Sequence, residues 1–262
     1  MKSFFLTIFL LLSSVFLAQR GKNLAGNITV ANTIVNAYTP LTSNAAAGSN
    51  VVNVVSSGGF TVGDLVFIIQ MQGASVNAGR DTLFPDVQSA IPTNSTFGAV
   101  TAYNNCGNYE FAQVLSIPNN TSIQLDCGLK YSYSYLNKVQ VIRVPRYTTL
   151  SVSGAGNIVC PQWNGATGGV IVVEVANNCT LSATPSFNAS GLGFRGGAAV
   201  STLLAFVGGG NKYGHISDRE GAYKGESING DTVRYQAYSS QHCRGAMANG
   251  GGGGDTHNAG GG

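Results

Sequence analysis

Charge is what this chain has least of. Only 10% of its 262 residues are Asp, Glu, Lys or Arg, against about 25% in an average globular protein. The net charge is +3 and no basic run occurs, so the footprint of a nucleic-acid binder is missing. Histidine is limited to His215, His242 and His257, and the five cysteines include no CxxC pair. A zinc site is therefore not expected. Acids are scarcest in the middle, where only Glu174 falls between Asp126 and Asp218. Glycoside hydrolysis needs two opposed carboxylates, and a calcium-dependent lyase needs an acidic cluster with a base. The middle of the chain carries neither set. His215 with Asp218, or His242 with Cys243, has no nucleophile elbow around it. Gly208–Asn211 lacks the Lys-Ser/Thr and helix of a phosphate loop. No catalytic residue, metal or cofactor is expected.

Long apolar runs are also missing, except at the start. Met1–Ala18 has a basic Lys2 followed by an apolar core from Phe4 to Phe16, the pattern of an export signal too short to span a bilayer. Cleavage after Ala18 is the expectation, although Phe16 departs from the small-residue rule. The product is then a secreted or cell-surface protein. In an oxidising compartment Cys106–Cys127 and Cys160–Cys179 are the candidate disulfides, with Cys243 left over.

What is abundant is glycine, 36 residues, about twice the usual ~7%. Short β-branched runs punctuated by Gly, Asn, Ser and Pro predict an all-β chain. Residues 19–138 read as a small β-barrel or sandwich-like module. In it Leu65–Met71 is apolar without interruption, as a strand buried on both faces is. Residues 110–117 and 122–127 make a hairpin around Pro118–Thr121. Asp64, in a Gly-Asp turn before a strand, reads as a turn residue. Residues 139–207 read as the first coils of a parallel β-helix. Thr149-Leu150-Ser151 and Thr180-Leu181-Ser182 lie thirty-one residues apart, a coil-like spacing, and Gly168–Val175 is the strongest strand. Residues 208–262 form a glycine-rich, largely irregular segment that reads as part of something longer.

Two groups of aromatics are candidates for glycan stacking. Trp163, just before a glycine turn, is expected to cap the coil interior or pack on a neighbouring module, with a sugar platform as the alternative. Tyr131, Tyr133 and Tyr135 alternate, which in a strand places them on one face, a pattern that a half-buried strand explains equally well.

The stretches VQVIRVPRY, CPQWNGATGGVIVVEV and NASGLGFRGG, within residues 48–197, resemble modules of large secreted and surface adhesin-like proteins of Bacteroidetes type. The resemblance implies a small β module leading into a short β-helix-like segment and a glycine-rich region. It also makes Thr82 and Thr232, in Asp-Thr-Leu and Asp-Thr-Val, candidate O-glycosylation sites. The expected function is a non-catalytic structural and interaction protein whose partners are extracellular glycans or surface proteins. The alternatives are the N-terminal portion of a carbohydrate-active β-helix protein (a polysaccharide lyase or hydrolase) and a carbohydrate-binding module.

Overall fold

The computed structural model describes residues 20–76, 99–196, 225–230 and 248–250. The expected signal segment, Thr82, Thr232, the three histidines, Cys243 and most of the glycine-rich stretch lie outside the described residues.

In chain order, a first coil carries β1 (Gly26–Ile28) and β2 (Thr33–Ile34). Its corner is turned by Asn32 at φ 56°, with the Thr33 hydroxyl donating to the Val30 carbonyl at 2.7 Å. A barrel follows, made of β3 (Ala37–Pro40), β4 (Val51–Asn53) and β5 (Leu65–Gln70). The short pair β6 (Ser75–Val76) and β7 (Val100–Ala102) precedes β8 (Tyr109–Asn119), β9 (Ser122–Leu125) and β10 (Val139–Val144). Coil strands then resume with β11 (Arg146–Tyr147), β12 (Leu150–Val152) and β13 (Ile158–Val159). A further coil supplies β14 (Glu174–Val175), β15 (Cys179–Leu181) and β16 (Phe187–Asn188).

The barrel sheet has the order β3-β10-β5-β8-β9-β4. It curls until its edges meet: Thr42 N–H donates to the Asn53 carbonyl and Val55 N–H to that of Pro40. The alternation seen in the sequence decides which side is filled. Val66, Ile68, Ala112, Val114, Ile123, Leu125, Val139 and Val141 point into the barrel core. Phe67, Ile142 and Val144 point outward, yet they are buried as well. The expectation that the Leu65–Met71 run is covered on both faces therefore holds for β5. The hairpin of β8 and β9 also forms. Its turn is held by the Asn119 carboxamide oxygen, which accepts from the Thr121 N–H and hydroxyl.

Parallel ladders build the coil stack. Their orders are β1-β12-β15 and β16-β13-β2, and β11 pairs with β14. Each successive coil buries what one alone cannot: Leu150, Val152 and Ile158 form a core with Ile28, Val35, Tyr147, Ile171, Val173, Val175 and Phe187. Two differences from the sequence reading follow. The first coil comes from residues 20–34, so the barrel is inserted between coil one and coil two. Val139–Val144, expected in the solenoid, is a central barrel strand. The register is also not thirty-one residues: Leu150 sits beside Cys179 and Val152 beside Leu181, a step of twenty-nine. An error of two residues keeps side chains on the same face, which is why matching the Thr-Leu-Ser copies misjudges the step while preserving inside and outside. The coils are close-set. A Cβ on Gly156 would lie 2.2 Å from the Ile28 carbonyl oxygen of coil one.

Side-chain amides join barrel to coils. The Gln140 Nε2 donates to the Gly168 carbonyl at 3.1 Å, and its Oε1 accepts from the Gly168 N–H at 3.0 Å. Asn36 Nδ2 donates to the carbonyls of Val172 (2.6 Å) and Arg143 (2.9 Å), and its Oδ1 faces the Val172 N–H. The Tyr38 hydroxyl donates to the Val170 carbonyl at 2.7 Å. The 168–172 run is thus bonded by carboxamides in place of a neighbouring strand, and only Glu174–Val175 of the expected long strand joins a ladder. Val170 and Val172 lie on Phe67, Ile142 and Val144 of the barrel, while Ile171, Val173 and Val175 enter the coil interior.

Candidate functional site

Every carboxylate among the described residues is held by its own chain. Asp64 is 1% exposed and accepts from Lys22 Nζ at 2.7 Å and Arg143 Nε at 3.2 Å. It also accepts from the Thr61 N–H at 2.7 Å, closing the turn before β5. Burial pushes its pKa up, but Lys22, the Thr61 N–H and Arg143 together hold the carboxyl below its ordinary value. The side chain is the turn residue expected from the sequence, and it also ties coil one, through Lys22, to the barrel. Glu174 lies outside the coil interior, bonded to Arg146 Nε, with Arg20 Nε 3.5 Å away. Glu110 accepts from the N–H groups of Lys130 and Tyr131, Asp126 from that of Gln113, and Glu226 forms two bonds to the Arg195 guanidinium. No group of three or more His, Cys, Asp or Glu among the described residues is placed to hold a metal ion.

Neither candidate glycan platform is assembled, although Tyr135 is itself exposed. Trp163 is 1% exposed, edge-on to Phe194 at 5.6 Å, so a sugar has no access to its face. The three tyrosines do not share a strand face. Tyr133 is buried in the barrel core, Tyr131 is half-buried, and Tyr135 begins a 3₁₀ turn, Tyr135–Asn137. Burial, and then the neighbouring Glu110 carboxylate, raises the Tyr133 hydroxyl above the usual tyrosine range. Alternation in the sequence was genuine; the chain there bridges Ala45 through Tyr133 alone rather than running as a strand.

The four described cysteines are free thiols, so neither expected disulfide is formed. Cys160 is buried just beyond β13, whereas Cys179 is exposed in β15, beside Leu150. The two lie on different stretches of the coil. Burial raises the pKa of Cys106, Cys127 and Cys160, which keeps these groups protonated and poor nucleophiles.

One surface feature is not consumed by the fold. On β8 the inward residues Ala112 and Val114 alternate with Tyr109, Phe111, Gln113 and Leu115 on the other side. Tyr109, Phe111 and Leu115 are 55%, 48% and 45% exposed. The Phe67 ring of β5 lies 5.3 Å from that of Tyr109 and 4.9 Å from that of Phe111. This is the part of the barrel's outer face that Val170 and Val172 do not cover. The sequence signal was the alternation in Tyr109–Leu115, legible as a half-buried strand but not as an aromatic stripe.

No family model matches this chain, and no curated protein matches it. Among solved structures it is similar to the tailspike gp61 of Pseudomonas phage phi297, at 11% identity over 64% of this chain and 24% of that one, with a TM-score of 0.27. It is similar to the gp54 tailspike of Acinetobacter baumannii bacteriophage AP22, solved in complex with A. baumannii capsular saccharide, at 11% identity, 61% and 27% coverage and a TM-score of 0.29. A third is the tailspike protein gp49 of Pseudomonas phage LKA1, at 13% identity, 60% and 28% coverage and a TM-score of 0.26. The chain spans about a quarter of the length of each. The all-β, coiled architecture rests on the strand pairing itself. Among the described residues no helix is long and apolar enough to cross a membrane.

Proposed function

We propose that this chain is a secreted or cell-surface structural and interaction protein, adhesin-like, in which residues 20–196 are scaffold rather than catalyst. The observation that carries the reading is the commitment of each described carboxylate to a bond within its own chain, in a stack held by parallel ladders and a side-chain lock. A glycosidase acid must keep a proton to give and a base must stay free to take one. Asp64 and Glu174, each paired with two cations, are suited to neither. The test is an epitope-tagged full chain in its native cells, assayed for cleavage by external protease and, once purified, for release of reducing ends from polysaccharides. Digestion of the tagged protein on intact cells, or its recovery from the medium, is expected, with no sugar release. Retention inside the cell, or release abolished by Glu174→Gln or Asp64→Asn in a folded variant, would overturn the reading.

A second reading, in which this stretch begins a carbohydrate-active β-helix protein, is favoured by one observation. β15 and β16 are outer edges of their ladders among the described residues, so the stack as described can accept further coils. The domain division that fits this reading is a barrel of 35–144 set into coils formed by 20–34 and 146–188.

A further inference from the structure

We infer that the outer stripe of β8, Tyr109 and Phe111 against Phe67, is a binding face for an uncharged polysaccharide. The inference rests on the surface-protein reading, which brings the stripe into contact with glycans. Single exposed apolar residues are ordinary, but here two half-exposed rings are i and i+2 on one strand, about 7 Å apart. Both lean on a third ring that the fold already fixes. Val170 and Val172 pack on Phe67, Ile142 and Val144 of this face, and the exposed Tyr109 and Phe111 rings beside them offer flat, rigid contact to the C–H faces of sugars.

Area decides against a protein partner. Full burial of an aromatic side chain covers about 150–250 Å², so the two half-exposed rings, with half-exposed Leu115 beside them, offer at most about 300 Å². A stable protein interface needs about 800 Å² on each side. Charge decides against an ionic ligand. Tyr109, Phe111, Gln113 and Leu115 carry none, and the charges beside them are bonded within the chain: Arg146, 3.5 Å from Gln113 Oε1, is buried and held by Glu174, which also faces exposed Arg20, and exposed Asp126 accepts from the Gln113 N–H. At the Tyr109 end the neutral amides of exposed Asn105 and half-buried Asn108 are bonded to each other and, through Asn105 Nδ2, to the Ser132 carbonyl, so they add no charge there.

The test is affinity electrophoresis of the full chain in gels containing dextran, galactomannan or hydroxyethylcellulose, with alginate as the charged comparison. Retardation by at least one neutral polymer, insensitive to salt, is expected. Tyr109→Ala with Phe111→Thr should weaken it at least tenfold while the thermal midpoint moves by only a few degrees. Should the double variant fail to fold, Tyr109→Ala alone is read, with at least a threefold loss expected. No retardation by any neutral polymer, retardation unchanged in the folded variant, or retardation by alginate alone that salt abolishes would overturn the inference. Protease digestion on intact cells reads the surface-protein proposal separately, so either can fail without the other.

Discussion

Replacing Gln140 by Met should loosen the joint between barrel and coils more than any surface change. Gln140 is fully buried and satisfies both the N–H and the C=O of Gly168. Methionine fills nearly the same volume but bonds neither group, and Gly168, at φ +104° and with a Cβ position 2.6 Å from the Gln162 carbonyl oxygen, cannot shift to find other partners. An orphaned buried backbone group costs about 1–3 kcal/mol. Two of them, less about 1 kcal/mol for exchanging an amide for an apolar side chain, give about 1–5 kcal/mol. That is a large share of the 5–15 kcal/mol that holds an ordinary domain. For a chain of this size it lowers the thermal midpoint by about 2–20 °C. Urea unfolding followed by the fluorescence of Trp163, the sole tryptophan, measures the loss. Amide exchange at Gly168 and Val172 locates it, and acceleration there, ahead of the barrel strands, is expected. A loss under about 0.5 kcal/mol with unchanged exchange would refute the lock.

Asp64 should make stability fall in acid. Its folded pKa lies below the unfolded value, so its contribution is full above about pH 5 and is lost as pH drops through the folded value. Asp64→Asn should cost about 2–4 kcal/mol near pH 7, discounted for the 23% exposure of Lys22 and Arg143, and its deficit against the parent should shrink in denaturation curves below pH 4. An unchanging deficit would count against the ion cluster. Gly156→Ala places a methyl against Ile28 of coil one and should destabilise by about 1–3 kcal/mol, read by calorimetry. A neutral result would mean the coils stand further apart. Under native conditions a thiol reagent should label Cys127 and Cys179 and spare Cys160, and a non-reducing peptide map should contain no Cys160–Cys179 peptide. Finding that peptide would restore the disulfide expected from the sequence.

The parts of the fold legible in the sequence were those with local signals. The unbroken Leu65–Met71 run announced a strand covered on two sides, the Pro118–Thr121 turn announced its hairpin, and Asp64 announced a turn. Coil one was hidden because Gly26–Ile28 and Thr33–Ile34 are too short for any periodicity, and their partners lie more than a hundred residues along the chain. The amide lock was equally silent, since nothing in the letters of Asn36 or Gln140 distinguishes a buried carboxamide bonding backbone from one in water. For Trp163 the sequence favours a cap on the coil interior, and the side chain is buried; the letters beside a glycine turn leave an exposed platform open as the alternative. The aromatic stripe escaped because an alternating strand does not reveal which of its faces the rest of the chain will cover.

Disulfide trapping of coil one on coil two tests the architecture most directly. Asn27 and Ser151 are register partners in the parallel ladder. Neighbouring strands stand about 4.8 Å apart, inside the ~4.4–6.8 Å range a disulfide spans. Asn27→Cys with Ser151→Cys should give a cross-linked peptide on mild oxidation. Asn27→Cys with Thr180→Cys, two ladder steps apart, should not. A cross-link in neither pair, or in the second alone, would contradict a barrel inserted into a coil stack.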